Sequence, residues 1–215
     1  REARFYNTVF FNGRQWPVTC KQVQFYNGGN AGVQEGQATT TGYMLFKRFN
    51  RSISKTSPGV ASQNRPSIIF RLADFYLIYA EVANEVNPSD SRVLTYLNLV
   101  RERAGLPKVE ILNPGIVGNK ELQRAAIQRE RQIELATEGQ RYFDVRRWMI
   151  ADKDGEGRQN GYAHGMNVRG TINDTEEFNR VVETEKIVFN RKMYLQPIPD
   201  HEMRKTQNLV QNPGW

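Results

Sequence analysis

Residues Arg129 to Trp148 read RERQIELATEGQRYFDVRRW, and the charges in this run decide the fold. Glu130, Glu134 and Glu138 stand at four-residue steps, so a helix places all three on one face. Like charges so placed repel unless cations stand among them. Arg129, Arg131 and Arg141 are at hand, and each guanidinium offers a planar fork of donors that a carboxylate accepts. Ile133, Leu135, Phe143, Val145 and Trp148 interleave with the charges. That mixture reads as an internal ion-pair network locking one helix against its neighbours, rather than as a solvated face. Asn119 is the expected N-cap, the helix runs to about Ala136, Gly139 breaks it, and Tyr142 to Ile150 resumes it.

Upstream, Ser67 to Val86 predicts a helix that is apolar on most faces and therefore central, with Pro66 before it and Asn87-Pro88 ending it. Ser89 opens the next helix, with Asp90 in its first turn. Val93, Leu97, Val100 and Ala104 form its apolar face, and Gly105-Leu106-Pro107 ends it. Two helices joined by so short a turn make a helical hairpin. Downstream, Asp152 to Gly170 is polar and glycine-rich and reads as loop. Thr184 to Asn190 reads as a strand, Tyr194 to Pro199 as extended chain, and Asp200 as the cap of a short last helix.

Residues 1–66 differ from the helical section at 67–215. They hold Phe5, Tyr6, Phe10, Phe11, Trp16, Phe25, Tyr26, Tyr43, Phe46 and Phe49, separated by Gly, Asn and Thr. Helical periodicity is absent. Tyr6 to Phe11 and Tyr43 to Phe49 are candidate strands. The fold class expected is mainly α, with helical hairpins, an irregular aromatic-rich loop section and minor β.

Ten positions of the opening run, Glu130, Arg131, Glu134, Leu135, Glu138, Gly139, Arg141, Asp144, Arg147 and Trp148, resemble the signature helix of the SusD/RagB family. RLADFYLIYAEVANEV (71–86), YLNLVRERAGLP (96–107), YLQPIP (194–199) and NLVQNPGW (208–215) resemble further family stretches in the expected order, as does ARFYNTVFFNG (3–13). Residues from about 150 to 190 match none of them. The resemblance implies tetratricopeptide-like hairpins within one SusD-like domain. It implies a non-catalytic lipoprotein of the outer-membrane cell surface that captures oligosaccharide and hands it to a SusC-like TonB-dependent transporter. It also implies that this chain is the C-terminal portion of a longer precursor, with secretion signal and lipid anchor upstream.

Composition narrows the alternatives. No apolar run approaches the length of a membrane span, and the single Cys20 has no partner for an internal disulfide. The net charge of +7 comes from 30 basic residues spread along the chain. With no basic run, zinc-finger spacing or RNP-type motif, nucleic acid is not an expected partner. Glu81/Glu85 and Glu134/Glu138 read as structural ion pairing rather than a glycosidase pair. Asp152-Lys-Asp154-Gly155-Glu156 lacks the later ligands of a calcium loop, and His164 and His201 lack a third zinc ligand. Neither metal nor cofactor is expected. Asn50-Arg51-Ser52 and Asn173-Asp174-Thr175 are glycosylation sequons by pattern only.

Ligand binding is therefore expected of the aromatic section. A sugar has a C–H face that an aromatic ring covers and hydroxyl edges that polar side chains bind. Trp16, Tyr26 and Tyr43 are the stacking candidates, with Arg14 and Asn27 as polar contacts and Gln24, Asn30 and Lys47 nearby. Phe10 and Phe11 read as core. The rival readings are a relative that binds peptide or another nutrient, a helical-repeat scaffold for protein partners, and a glycosidase.

Overall fold

The computed structural model describes residues 1–16, 21–32, 39–49, 68–153, 160–171, 177–178 and 181–215. Cys20, Ser67, both sequons, the Asp154–Glu156 part of the calcium-like turn and the 66/67 section boundary lie outside them. The chain divides into two compact units, Arg1–Arg141 with Gly165–Val181, and Tyr142–His164 with Val182–Trp215. It is mainly helical. Among the described residues, no helix is long and apolar enough to cross a membrane.

In the first unit α1 (Ala3–Thr8) leads into strand β1 (Val9–Phe11), which pairs antiparallel with β2 (Tyr43–Leu45). The first half of the expected strand from Tyr6 to Phe11 is thus helix and only its second half, Val9–Phe11, is strand. Its residues are turned by a distant anchor, because Arg4 of α1 reaches Glu130 and Glu134. Helices α2 (Leu72–Val86) and α3 (Arg92–Arg103) form the predicted hairpin. Gly105, at φ +74°, ends α3 as the Leu106 N–H returns to the Arg101 carbonyl. Asp90 lies before α3 rather than in it, and its carboxylate accepts from the Arg92 N–H. A short helix α4 (Val109–Leu112) and a 3-10 turn lead to α5 (Lys120–Glu134). Asn119 caps α5 as expected, accepting from the Leu122 N–H at 3.1 Å.

Two cores fill this unit. Leu77, Ala80, Val93, Leu97, Val100 and Ile127 seal α2, α3 and α5 together. Phe10, Val23, Phe25, Tyr26, Phe46 and Phe178 form the aromatic core. Buried amides stitch the connections to the helices: Asn98 accepts from the Val109 N–H, and Asn84 donates to the Lys120 carbonyl. One expectation needs correction. Helix α2 is not enclosed. Ala73, Leu77, Ala80 and Asn84 are buried, while Leu72, Phe75, Val82 and Val86 face solvent.

The acidic run is internal, as its apolar interleaving implied, but its partners are not the adjacent arginines. Glu130 accepts from Arg4 and Arg101; Glu134 from Arg4, Arg71 and Arg103; Glu138 pairs with Arg71 and Lys47. Arg71 and Lys47 also donate to the Glu134 carbonyl, each at 2.7 Å. They thereby satisfy backbone oxygens that the end of α5 leaves unbonded. Arg131 instead holds the buried Asp74 of α2 at 2.9 Å. Because Arg71 is pulled to α5 it stays extended, so α2 begins at Leu72 rather than near Ser67.

The second unit holds most of α6 (Gln140–Arg147) and of the paired strands β3 (Gly161–Met166) and β4 (Val181–Ile187). Helix α6 follows Gly139, at φ +83°, and so starts before the expected Tyr142. Strand β3 falls where a loop was expected; it pairs with β4, which a polar, glycine-rich stretch does not signal. Val145, Ala151 and Phe189 make a small core with Tyr194, whose hydroxyl donates to Asp152 at 2.6 Å. Asp200 is the first residue of a last helical turn, Asp200–Met203, rather than its cap. The Trp215 indole N–H pins the tail to the Lys192 and Leu195 carbonyls.

Burial pushes the Glu134 carboxyl up, but hydrogen bonds from Arg71, Arg103 and Arg4 outweigh it and leave the group below its ordinary 4.5. Glu138 is likewise pushed up by burial and held down by Arg71 and Lys47. A depressed folded value stabilises above the unfolded value and is lost as pH falls through the folded one. The urea midpoint should therefore decline as pH drops below about 4.5. Glu134→Gln, which leaves three arginines facing a neutral amide, should cost about 3–5 kcal/mol at neutral pH and flatten that decline. Equilibrium unfolding followed by circular dichroism measures both.

Candidate functional site

Strands β1 and β2 make a two-faced ribbon, because successive side chains point to opposite sides. Phe10 enters the aromatic core. Phe11 and Tyr43, directly opposite each other in the register, lie on the other face. Helix α1 adds Phe5 and Tyr6 to that side. Ring centroids separate Phe5 from Phe11 by 5.5 Å, Phe5 from Tyr43 by 6.4 Å and Tyr6 from Phe11 by 5.7 Å. Tyr6 is 47% exposed, and Leu45 extends the patch as a second exposed side chain. Phe5, Phe11 and Tyr43 are half-buried. The result is a surface of mutually supported rings.

A cleft of about 640 Å³ adjoins this patch and shares Phe5 with it. Its apolar lining comes from Val9, Leu106, Val109, Leu112 and Ile133, and its polar lining includes Arg1, Thr8, Arg129 and Gln132. Arg1 lies over the Phe5 ring at 4.4 Å. Arg129 and Gln132 make no side-chain hydrogen bond to any described residue, so their donors remain for a ligand. Rings beside unspent donors can cover the C–H face of a sugar and bind its hydroxyl edge. Of the two carboxylates lining the cleft, Glu130 is already held by Arg4 and Arg101, and Glu2 by Arg4. Among the described residues no group of three His, Cys, Asp or Glu could hold a metal ion.

The residues expected to bind are scattered by the fold. Tyr43 lies in the patch. Trp16 is half-buried, stacked on Phe10 at 5.0 Å and edge-on to Phe49 at 5.0 Å. Tyr26 is only 8% exposed and packs edge-on to Phe178, so its face is turned away from solvent. The Arg14 guanidinium lies 3.7 Å over Phe46 and donates to the Tyr6 and Val9 carbonyls. It fastens α1 to the ribbon and is not an unspent donor. Asn27 sits in the turn after Tyr26, with its backbone N–H on the Gly170 carbonyl and no side-chain bond to a described residue. Lys47 is committed to the α5 end, and Asn30 bonds Gln24 and Gln22.

Tyr6 and Phe11, which the fold sets beside Tyr43, and Arg129 and Gln132, which line the cleft, were not among the residues expected to bind. Phe11 was expected in the core, yet strand alternation turns it opposite to Phe10. That alternation was legible in Val9-Phe10-Phe11. The register that sets Phe11 against Tyr43 was not.

A family model described as the SusD family matches residues 1–215. The chain is 44% identical to SusD-like protein P25 of Formosa agariphila over 106 residues, which are 49% of this chain and 19% of that protein. Its fold matches a SusD-like protein from Bacteroides fragilis at TM-score 0.79 and 28% identity, over all of this chain and 39% of that one. It also matches a SusD-like carbohydrate-binding protein from the same organism at TM-score 0.72 and 25% identity, over 95% of this chain and 40% of that one. The chain thus spans about a fifth of that curated relative and about two fifths of the solved ones.

The packing separates rings that hold the fold from rings that cover it. Trp16→Ala removes a stacked partner of Phe10 and should lower stability by about 3 kcal/mol. Tyr6→Ala, at an exposed position, should change it by about 0.5 kcal/mol or less. Urea unfolding of the two variants checks the contrast.

Proposed function

This chain belongs to the SusD family, and from that premise we propose that it binds oligosaccharide without chemical turnover, at the patch formed by Tyr6, Phe11 and Tyr43. The observation that carries the reading is the set of supported rings turned to solvent beside the unspent donors of Arg129 and Gln132. Stacking on such rings is worth about 0.5–1.5 kcal/mol per contact beyond area burial. A ligand held by a few such contacts is released readily, which suits a protein that passes its cargo on.

In the full-length protein this portion works at the cell surface, tethered through a lipid anchor elsewhere in the polypeptide. It delivers glycan to a SusC-like TonB-dependent transporter in the outer membrane. Family membership supports this setting, and the carbohydrate-binding relative of similar fold supports the ligand class. No step of bond cleavage enters the proposal: the carboxylates lining the cleft, Glu2 and Glu130, are tied to arginines, and a glycosidase needs one carboxyl poised to give up a proton.

Calorimetry of the full-length protein against a panel of polysaccharides tests the reading. Tyr43→Ala and Tyr6→Ala should each weaken binding of the preferred glycan about tenfold, a loss near 1.4 kcal/mol, with the Tyr6→Ala unfolding midpoint nearly unchanged. Affinity that stays at the parent value in both variants removes the patch from the site. Release of shortened sugars by the parent protein removes the non-catalytic reading.

A further inference from the structure

The cleft beside the ring patch carries more positive charge than its own carboxylates use. Four arginines line it, Arg1, Arg4, Arg101 and Arg129, against two acids, Glu2 and Glu130. Both acids are already held. Arg4 grips the two oxygens of Glu2 at 2.9 and 3.0 Å. Glu130 accepts from Arg4 on one oxygen and from Arg101 on the other. Arg1 and Arg129 are exposed and have no carboxylate partner among the described residues. Elsewhere in this unit Arg71, Arg103, Arg124 and Arg131 each pair with one. Arg129, Gln132 and Ile133 fall on one face of α5, three and four residues apart, and all three line the cleft. The Arg1 guanidinium lies over the Phe5 ring at 4.4 Å, where cleft and patch join. Apolar walls beside the two charges weaken the screening that open water gives.

We propose, resting on the glycan reading above, that the oligosaccharide taken at this site is acidic. Its carboxylate or sulfate is held by Arg129 and Arg1 while a sugar face stacks on the adjoining rings. A neutral hydroxyl needs only an ordinary polar partner, which Gln132 supplies. A guanidinium fork matches two anionic oxygens at once, and such charge-assisted bonds are about twice as strong as neutral ones. Uronate carboxylates and sulfate esters both present that pair of oxygens. The formal net charge of +7 draws polyanions to the chain in general. Two arginines without counterions, set in the cleft beside the rings, give that attraction a place.

Calorimetry of the full-length protein against matched pairs tests it: polygalacturonate and its carboxyl-reduced form, κ-carrageenan and its desulfated form, dextran sulfate and dextran. At least one acidic member should bind about tenfold or more tightly than its neutral partner, and that margin should shrink as salt rises from about 0.05 to about 0.5 M. A margin in the first pair identifies a carboxylate, and a margin in the others a sulfate. Arg129→Gln keeps a donor but loses the charge, and should weaken the acidic member about tenfold at low salt. Arg191→Gln removes an exposed cation that does not line the cleft and should leave the affinity at the parent value. Acidic members that bind no more tightly than their neutral partners overturn the proposal. Equal losses in Arg129→Gln and Arg191→Gln also overturn it, because net charge alone is then the attraction. An Arg129→Gln loss that is the same at low and high salt overturns it as well, since hydroxyl bonding accounts for that. A neutral glycan preferred by the parent and weakened by Tyr43→Ala upholds the ring patch and overturns only the acidic preference.

Discussion

The carboxylate of Glu134 is the fixed point of the first unit. It is almost wholly buried, and a buried anion is tolerated only when paired and hydrogen-bonded. Three arginines meet it, from α1, from the residue before α2 and from the end of α3. One helix turn away on either side, Glu130 and Glu138 recruit Arg101 and Lys47. The cations also satisfy carbonyls at the C-terminus of α5, where the helix dipole favours positive charge. One helix end thereby gathers four other segments. Such a junction selects geometry as much as it adds stability: a shift of any segment would leave a charge buried without a partner.

The ribbon of β1 and β2 depends on that junction. Arg4 holds α1 to α5, and Lys47 holds the turn after β2 to the same helix end. Between these two anchors the ribbon is short, only three residues a side, so alternation alone sorts its rings. Phe10 goes inward to Phe25 and Phe46, while Phe11 and Tyr43 stay outside. Arg14, spread over Phe46 and bonded to the carbonyls of Tyr6 and Val9, closes the corner where helix becomes strand. A ring patch held this way is preorganised, so less ordering entropy would oppose the binding proposed for it.

Helix α2 shows the same division on a larger scale. Its inner stripe of small and aliphatic residues allows close approach of α3 and α5, and Arg131 reaches Asp74 through that interface. Its outer side chains, Leu72, Phe75, Val82 and Val86 among them, are larger and exposed among the described residues.

Most of the helical frame was legible in the sequence because its determinants are local. The stripe Val93, Leu97, Val100, the cap at Asn119, the left-handed Gly105 and the break at Gly139 act over three or four residues. The burial of Glu130 and Glu134 was legible too, since apolar residues alternate with the charges. Partner identity was not. Glu134 finds Arg71 across 63 positions and Arg4 across 130, and no local spacing encodes such distances. The placement of Tyr26 inside and Tyr6 outside has the same origin: a ring's chemistry suits either place, and strand register with the packing of Phe178 chooses between them. The long helices of the frame and the burial of Glu130 and Glu134 thus follow from periodicity and capping read along the chain. Which cations meet those charges, and which rings face solvent, follow from the folded arrangement, because those contacts form between segments that are strangers along the chain.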